Sequence, residues 1–179
     1  MNYEQSIDYI HSIPKFRRPL GNANLEKLLT HLDNPQKKLK FIHIAGTNGK
    51  GSTAAMTAEI LKKSGFKTGL FTSPYLEVFN ERIRINGENI TDNDLAEYVT
   101  RVKAIMEKNN ALVSEFAFIT AVSFLYFYEK QCDIVVLEVG MGGKLDATNV
   151  IDSSLVSVIC KIGLDHTQYL GNTVEEIAK

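Results

Sequence analysis

A glycine-rich loop, AGTNGKG at residues 45–51, constrains the fold of this chain more than any other stretch. An apolar run at 40–44 leads into the loop, and an alanine-rich run with helical character follows at 54–63. This order predicts a strand, a loop and a helix, which is the layout of a phosphate-binding site. The glycines let backbone amides approach an anion, and the amino end of the helix directs its positive dipole there. Lys50 adds a full positive charge at the same place.

The loop differs from the standard phosphate-loop pattern, G-x-x-x-x-G-K-[ST], at two positions. Ile44 stands where the first glycine belongs, and Gly51 stands where a magnesium-binding hydroxyl is expected. Ser52 and Thr53 come later and could partly substitute for that hydroxyl. The alternative is an ordinary glycine-rich turn, but the flanking elements and Lys50 favour a phosphate site.

Composition indicates a packed, soluble domain. Hydrophobic residues make up 44% of the 179 residues and charged residues 23%, which excludes intrinsic disorder. The formal net charge of −1 provides no basic surface, so neither nucleic acid nor a membrane is an expected partner. The amino terminus lacks a signal-peptide pattern, and the longest apolar run, 116–128, is too short to cross a bilayer. We expect a cytoplasmic monomer with Cys132 and Cys160 as free thiols.

Hydrophobic periodicity predicts an α/β fold with a mainly parallel sheet, helices on both faces and a small β-hairpin insertion. The run 133–139 is almost continuously apolar, and it and the run 155–159 are predicted to be central strands. The other predicted elements are strands at 40–45 and 67–72, a hairpin at 82–90 turning at Asn86-Gly87, and helices at 3–13, 25–32, 54–63, 92–108, 114–128 and after Thr173.

Polar side chains stand where three of the predicted strands end. Ser73 follows the second strand, Glu138 ends the third, and Asp165-His166 come after the fourth. The carboxyl ends of parallel strands meet at one edge of a sheet, so these residues are expected near the glycine loop. A carboxylate there is typical of a site that holds Mg²⁺. His166 has three possible roles at this point: metal ligand, acid or base, or hydrogen-bonded loop residue.

A second glycine-rich segment, GMGG at 140–143, follows Glu138 directly. Glycines there would let the backbone approach a ligand closely. Asp146 and Asn149 come next, and each either binds substrate or braces the turn through its side chain. The pattern does not separate these two roles.

Four motifs in this order resemble the Mur ligase superfamily, in particular its folylpolyglutamate synthase/dihydrofolate synthase branch. IAGTNGKGST at 44–53 resembles the ATP loop of the superfamily, and the Gly-Ser after Lys50 is similar to the folate branch. TSP at 72–74 with FNERI at 79–83 looks like the loop after the second strand of that branch. LEVGMGGKLDATN at 137–149 and GLDHT at 163–167 are similar to two further signatures. The implied fold is that of the Mur ligase central domain.

The resemblance implies an ATP-dependent ligase that adds L-glutamate to the carboxylate of a folate or of dihydropteroate. ATP would phosphorylate that carboxylate, and the amine of glutamate would attack the acyl phosphate. The catalytic residues implied are Lys50, Glu138 and His166, and the implied Mg²⁺ ligands are Ser73, Glu138 and His166. The residues implied to bind ATP are Thr47, Asn48, Gly49, Lys50, Gly51, Ser52 and Thr53. Those implied to contact the pterin substrate are Leu20, Gly21, Ser114, Glu115, Phe116, Ala117, Leu145 and Asp146.

The same resemblance implies that residues 1–179 form an amino-terminal ATP-binding ligase domain that is truncated at its carboxyl end. A modified lysine and a glutamate-binding domain would follow, so this chain alone is expected to be inactive. Two alternatives remain open. One is a ligase that joins an amino acid to a cell-wall precursor, and the other is a regulatory ATPase that ligates nothing.

Overall fold

A six-stranded sheet forms the centre of the computed structural model, which describes residues 1–16 and 21–178. Its strands lie in the order β4-β3-β2-β5-β1-β6. Neighbours among β2, β5, β1 and β6 are parallel, whereas β3 and β4 are antiparallel additions at one side. The strands are β1 (Phe41–Ala45), β2 (Thr68–Phe71), β3 (Ile83–Ile85), β4 (Glu88–Asn89), β5 (Ile134–Glu138) and β6 (Val156–Ile159). The mainly parallel sheet and its hairpin insertion are therefore confirmed.

Helices cover both faces of the sheet, as predicted. They are α1 (Tyr3–Ser12), α2 (Ala23–His31), α3 (Lys50–Lys63), α4 (Asp92–Lys108), α5 (Glu115–Glu129), α6 (Thr167–Leu170) and α7 (Val174–Ile177). On one face Ala54 of α3 packs into a small cluster with Ile44 of β1 and Val136 of β5. The larger core lies on the other face, where Phe124 of α5 meets Phe41 of β1 with ring centroids 5.5 Å apart.

Local sequence signals fix most element boundaries. Thr91 caps α4 by accepting the Asp94 N–H at 3.1 Å, and Asn86 and Gly87 form the tight turn with positive φ angles of 52° and 85°. The start of α3 differs from the prediction of residue 54, because the helix begins at Lys50. Gly49 adopts a left-handed φ of 85° and the chain turns directly into the helix after it. Residues 50–53 thus form the first helical turn.

One strand prediction is wrong. The run 155–159 was expected to be central, but β6 lies at the edge and pairs only with β1 in the described part of the chain. Val156 is 50% exposed and Ile159 71% exposed. An apolar run shows that a strand is suited to burial. Whether the strand is buried depends on the neighbouring elements, which the run itself does not specify. The central position of β5 is confirmed, since all five of its residues are buried between β2 and β1.

Within residues 1–16 and 21–178, no helix combines the length and the apolar character needed to cross a membrane.

Candidate functional site

The glycine-rich loop joins the carboxyl end of β1 to the amino end of α3. Gly46 has a φ of 135°, and a Cβ there would lie only 2.8 Å from the Cβ of Cys160, so a side chain has no room. The N–H groups of the first α3 turn, at Lys50, Gly51 and Ser52, have no acceptor within the helix. Together with the helix dipole they make this end of α3 suited to an anion.

The loop is fastened by its own lysine and by the segment after β6. The Lys50 ammonium donates to the Gly46 carbonyl at 2.8 Å and to the Thr47 carbonyl at 3.3 Å. The N–H groups of Thr47 and Asn48 both donate to the Lys161 carbonyl, at 3.0 and 3.2 Å. The Thr47 hydroxyl also accepts the Gly163 N–H at 3.0 Å. The amides of Thr47 and Asn48 are therefore engaged, whereas those of Lys50, Gly51 and Ser52 at the head of α3 have no acceptor within the helix.

Glu138 lies at the end of β5, paired in register with Ile44 just before the loop. Its side chain is buried, and Oε2 accepts the Ser73 N–H at 2.9 Å. Burial raises the pKa of Glu138, whereas the Ser73 bond and the Lys50 charge act in the opposite direction. Gly51 of the first α3 turn faces this carboxylate, since a Cβ there would stand 3.6 Å from Oε1 of Glu138, an ordinary contact distance. The structure thus brings together the first turn of α3, Ser73 and Glu138.

His166 occupies a different position, just before α6. It has a left-handed φ of 48°, its side chain is 47% exposed, and Nε2 lies 3.9 Å from Oδ2 of Asp165. His166 and Ser73 both line one large cavity. Among the described residues, no three or more His, Cys, Asp or Glu side chains are grouped in a way that could hold a metal ion. Protein carboxylates alone therefore do not complete a metal site here.

The cavity has a volume of about 860 Å³ and opens beside the loop. Ala45, Gly46 and Thr47 contribute to its wall, which links it to the candidate phosphate site. The residues with an implied substrate role that line it are Gly21, Ser114, Glu115, Phe116, Ala117, Leu145 and Asp146. Leu20 lies outside the described residues. All the other implied substrate residues therefore meet at one concave surface, although they come from three separate parts of the chain.

Asp146 is largely buried, and its carboxylate braces the glycine-rich turn from inside. Oδ2 accepts the Met141 N–H at 2.9 Å, and Oδ1 accepts both the N–H and the hydroxyl of Thr148, at 2.9 and 2.6 Å. Because the Thr148 hydroxyl donates to this carboxylate, it accepts from Nε2 of His43 at 2.8 Å. Burial lowers the pKa of His43, with Asp146 opposing the shift. Asp146 therefore does brace the turn, while also lining the cavity.

Sequence reasoning missed His43, Thr148 and Arg82. His43 and Thr148 face each other across 105 positions of sequence, so no local pattern could have paired them. Arg82 stood inside the quoted FNERI motif without an assigned role, and it lines the cavity.

These features define a class: an α/β protein with a glycine loop, a lysine and a buried carboxylate at the carboxyl ends of its parallel strands. The family model for the Mur ligase middle domain matches residues 44–179. The chain belongs to that family.

Two curated relatives and one solved structure extend this result. The chain is 44% identical to folylpolyglutamate synthase of Lacticaseibacillus casei, covering 100% of this chain and 43% of that protein. It is 42% identical to dihydrofolate synthase/folylpolyglutamate synthase of Bacillus subtilis (strain 168), covering 98% of this chain and 42% of that protein. A structure described as "FPGS-AMPPCP-folate complex" superposes with a TM-score of 0.94 at 43% identity, over 99% of this chain and 44% of that one. The chain thus spans less than half the length of these relatives.

Proposed function

We propose that this chain is the ATP-binding part of a ligase that adds L-glutamate to the carboxylate of a folate or of dihydropteroate. The observation that carries the proposal is the position of one cavity beside the glycine loop, at the sheet edge where Ser73 and Glu138 meet. A ligase of this kind must hold a triphosphate and a carboxylate acceptor next to each other. The names of the relatives agree with this chemistry, and one similar structure holds both folate and AMPPCP, an analogue of ATP.

ATP would bind with its phosphates at the head of α3. The free N–H groups of Lys50, Gly51 and Ser52 are oriented towards such an anion. In the present structure the Lys50 ammonium is bonded to the Gly46 and Thr47 carbonyls, and it would exchange these bonds for phosphate oxygens. Its charge would then stabilise the phosphoryl group during transfer to the acceptor carboxylate. The amine of L-glutamate would attack the resulting acyl phosphate and release phosphate.

Mg²⁺ would be held by Glu138, with Ser73 and His166 as further ligands. A buried carboxylate with a raised pKa and an unbonded Oε1 fits a cation, because a positive ion would offset the cost of burying the charge. Mg²⁺ commonly keeps water and substrate phosphates as ligands, which agrees with the small number of protein groups here. When bound, the ion would neutralise charge on the triphosphate. We also propose a cytoplasmic monomer.

The test uses the full-length protein that contains this chain. Lys50→Ala and Glu138→Ala should each reduce ATP-dependent glutamate addition at least about 100-fold, the usual cost of losing a transition-state charge contact. Lys63→Ala is the matched control, because this lysine ends the same helix, its side chain is 76% exposed, and it pairs with Glu59 at 3.6 Å on the surface. It should leave the rate unchanged. Normal activity in both Lys50→Ala and Glu138→Ala would refute the mechanism.

The acceptor is identified in the same assay. Dihydropteroate, tetrahydrofolate and a muramyl nucleotide are offered separately with L-glutamate. Product with either of the first two supports the proposal, and product with the muramyl nucleotide alone identifies a cell-wall ligase. A rate of ATP hydrolysis that is the same with and without every acceptor identifies a regulatory ATPase.

A further inference from the structure

Arg82 is a cation in the cavity wall that the proposed function does not use. It ends the short 3-10 turn Phe79–Arg82, and it lines the cavity together with Ser73 and Glu115. Its Nε atom is buried and has no hydrogen-bond partner among residues 1–16 and 21–178. A buried donor without a partner costs free energy, so such groups in native proteins call for an explanation.

The turn that carries Arg82 is held rigidly. The Glu81 carboxylate accepts three successive backbone N–H groups, from Leu76 at 2.8 Å and from Glu77 and Val78 at 3.1 Å. These bonds lower the pKa of Glu81. Asn80 is buried and donates to the Ile90 carbonyl at 2.7 Å. These bonds brace the backbone of the turn that carries Arg82.

Two aromatic rings lie against the guanidinium. Its Cζ stands 5.2 Å from the centroid of Tyr75 and 5.3 Å from that of Phe79, which is the range of cation–π contacts. Glu115 acts on Arg82 through space, but it forms no ion pair with it in the described part of the chain. Burial lowers the pKa of Arg82 while Glu115 raises it, and a guanidinium remains charged at neutral pH. The site therefore holds a charged cation that forms no ion pair with any residue among 1–16 and 21–178.

We propose that Arg82 is a carboxylate-binding residue of this cavity, which receives a carboxylate of one of the substrates. A guanidinium presents a planar fork of donors that matches a carboxylate in two parallel hydrogen bonds. The inference rests on the proposed function, in which every substrate other than ATP carries a carboxylate. That carboxylate belongs to the folate or dihydropteroate acceptor or to L-glutamate, and the chemistry of recognition is the same for both.

The experiment compares Arg82→Gln with Arg84→Gln in the full-length protein. Arg84 is the control because it lies two positions later, has a buried Nε without a hydrogen-bond partner in the described part of the chain, and is not among the described residues that line the cavity, although it pairs with Glu81 at 3.7 Å. Arg82→Gln should raise the KM of one carboxylate substrate about 10- to 100-fold, the effect of losing charge-assisted hydrogen bonds. The KM of ATP should stay unchanged. Arg84→Gln should have the wild-type KM values for ATP, for the acceptor and for L-glutamate.

Acceptor binding measured by calorimetry in the absence of L-glutamate shows whether Arg82 binds the carboxylate of the acceptor or that of L-glutamate. Weaker acceptor binding by Arg82→Gln assigns the site to the acceptor carboxylate, and unchanged acceptor binding with a raised KM for L-glutamate assigns it to glutamate. Arg82→Lys keeps the charge and loses the fork, so it should show a smaller rise in the same constant. If Arg82→Gln does not fold, the KM values and the acceptor binding of Arg82→Lys are compared with those of the wild type instead.

Two results would overturn the inference: unchanged constants for both carboxylate substrates, or an equal rise in the KM of ATP. An inactive wild-type protein would instead refute the proposed function, so the two failures are distinguishable.

Discussion

Gly140 offers a direct test of how the cavity wall is built. A Cβ at Gly140 would lie 2.6 Å from Cζ of Phe116 and 3.1 Å from Oδ2 of Asp146. The first distance falls 0.8 Å short of the 3.4 Å at which ordinary contact begins. Gly140→Ala therefore requires the Phe116 ring to move, although that ring already packs against Phe71 with centroids 5.8 Å apart.

The expected cost follows from the size of this overlap. Adding a methyl group to a well-packed site costs about 1–3 kcal/mol. Each 1.4 kcal/mol corresponds to about a factor of ten in a binding constant. If the whole packing cost weakens substrate binding, the binding constant therefore falls roughly 5- to 150-fold. Phe116 and Asp146 both line the cavity, where the proposed function has the acceptor bind, so the acceptor is the substrate expected to be affected. We expect Gly140→Ala to raise the KM of the acceptor within this range, by about 5- to 150-fold, and to lower the melting temperature.

Gly143→Ala is the control, because Gly143 lies in the same glycine-rich segment and lines the same cavity. A Cβ there meets no atom within 4 Å, and the residue does not adopt a positive φ. The assay measures steady-state kinetics and thermal unfolding of both variants in the full-length protein. A Gly140→Ala protein with the acceptor KM and melting temperature of Gly143→Ala would refute the packing argument.

Two further predictions concern the hydrogen-bonded chain behind the cavity. Thr148→Val removes the hydroxyl between His43 and Asp146, and we expect it to lower the free energy of unfolding by about 1–3 kcal/mol, measured by urea denaturation. Burial lowers the pKa of His43 from 6.5, so below pH 6.5 the unfolded chain binds more protons than the native protein and stability falls as the pH drops. His43→Gln should reduce this loss between pH 7.5 and pH 5.5, and an equal loss in both proteins would contradict the assignment.

Much of the fold could be predicted from local sequence. The hairpin turn at Asn86-Gly87, the cap at Thr91 and the central position of β5 all follow from short patterns whose physical cause lies within a few residues. The central position predicted for 155–159 failed, since burial of a strand depends on its neighbours. The start of α3 was misplaced because glycines in the loop concealed a helical turn.

The candidate site could be predicted only in part. Ser73 and Glu138 were expected at one sheet edge, and the Ser73 N–H does bond the Glu138 carboxylate. Residues near the carboxyl ends of parallel strands converge because such strands run in the same direction and therefore end at the same edge of the sheet. Arg82 had no such signal, since its importance comes from burial and a missing partner, and neither is visible in a sequence.

The sequence by itself determined the glycine loop, the lysine that follows it and the strand-end residues around it. These depend on backbone freedom, charge and strand order, which a chain carries locally. Only the tertiary structure decided that the amides of Thr47 and Asn48 are already bonded to the Lys161 carbonyl. Such partners lie more than a hundred residues apart in the chain, and only the packing of β6 beside β1 brings them together.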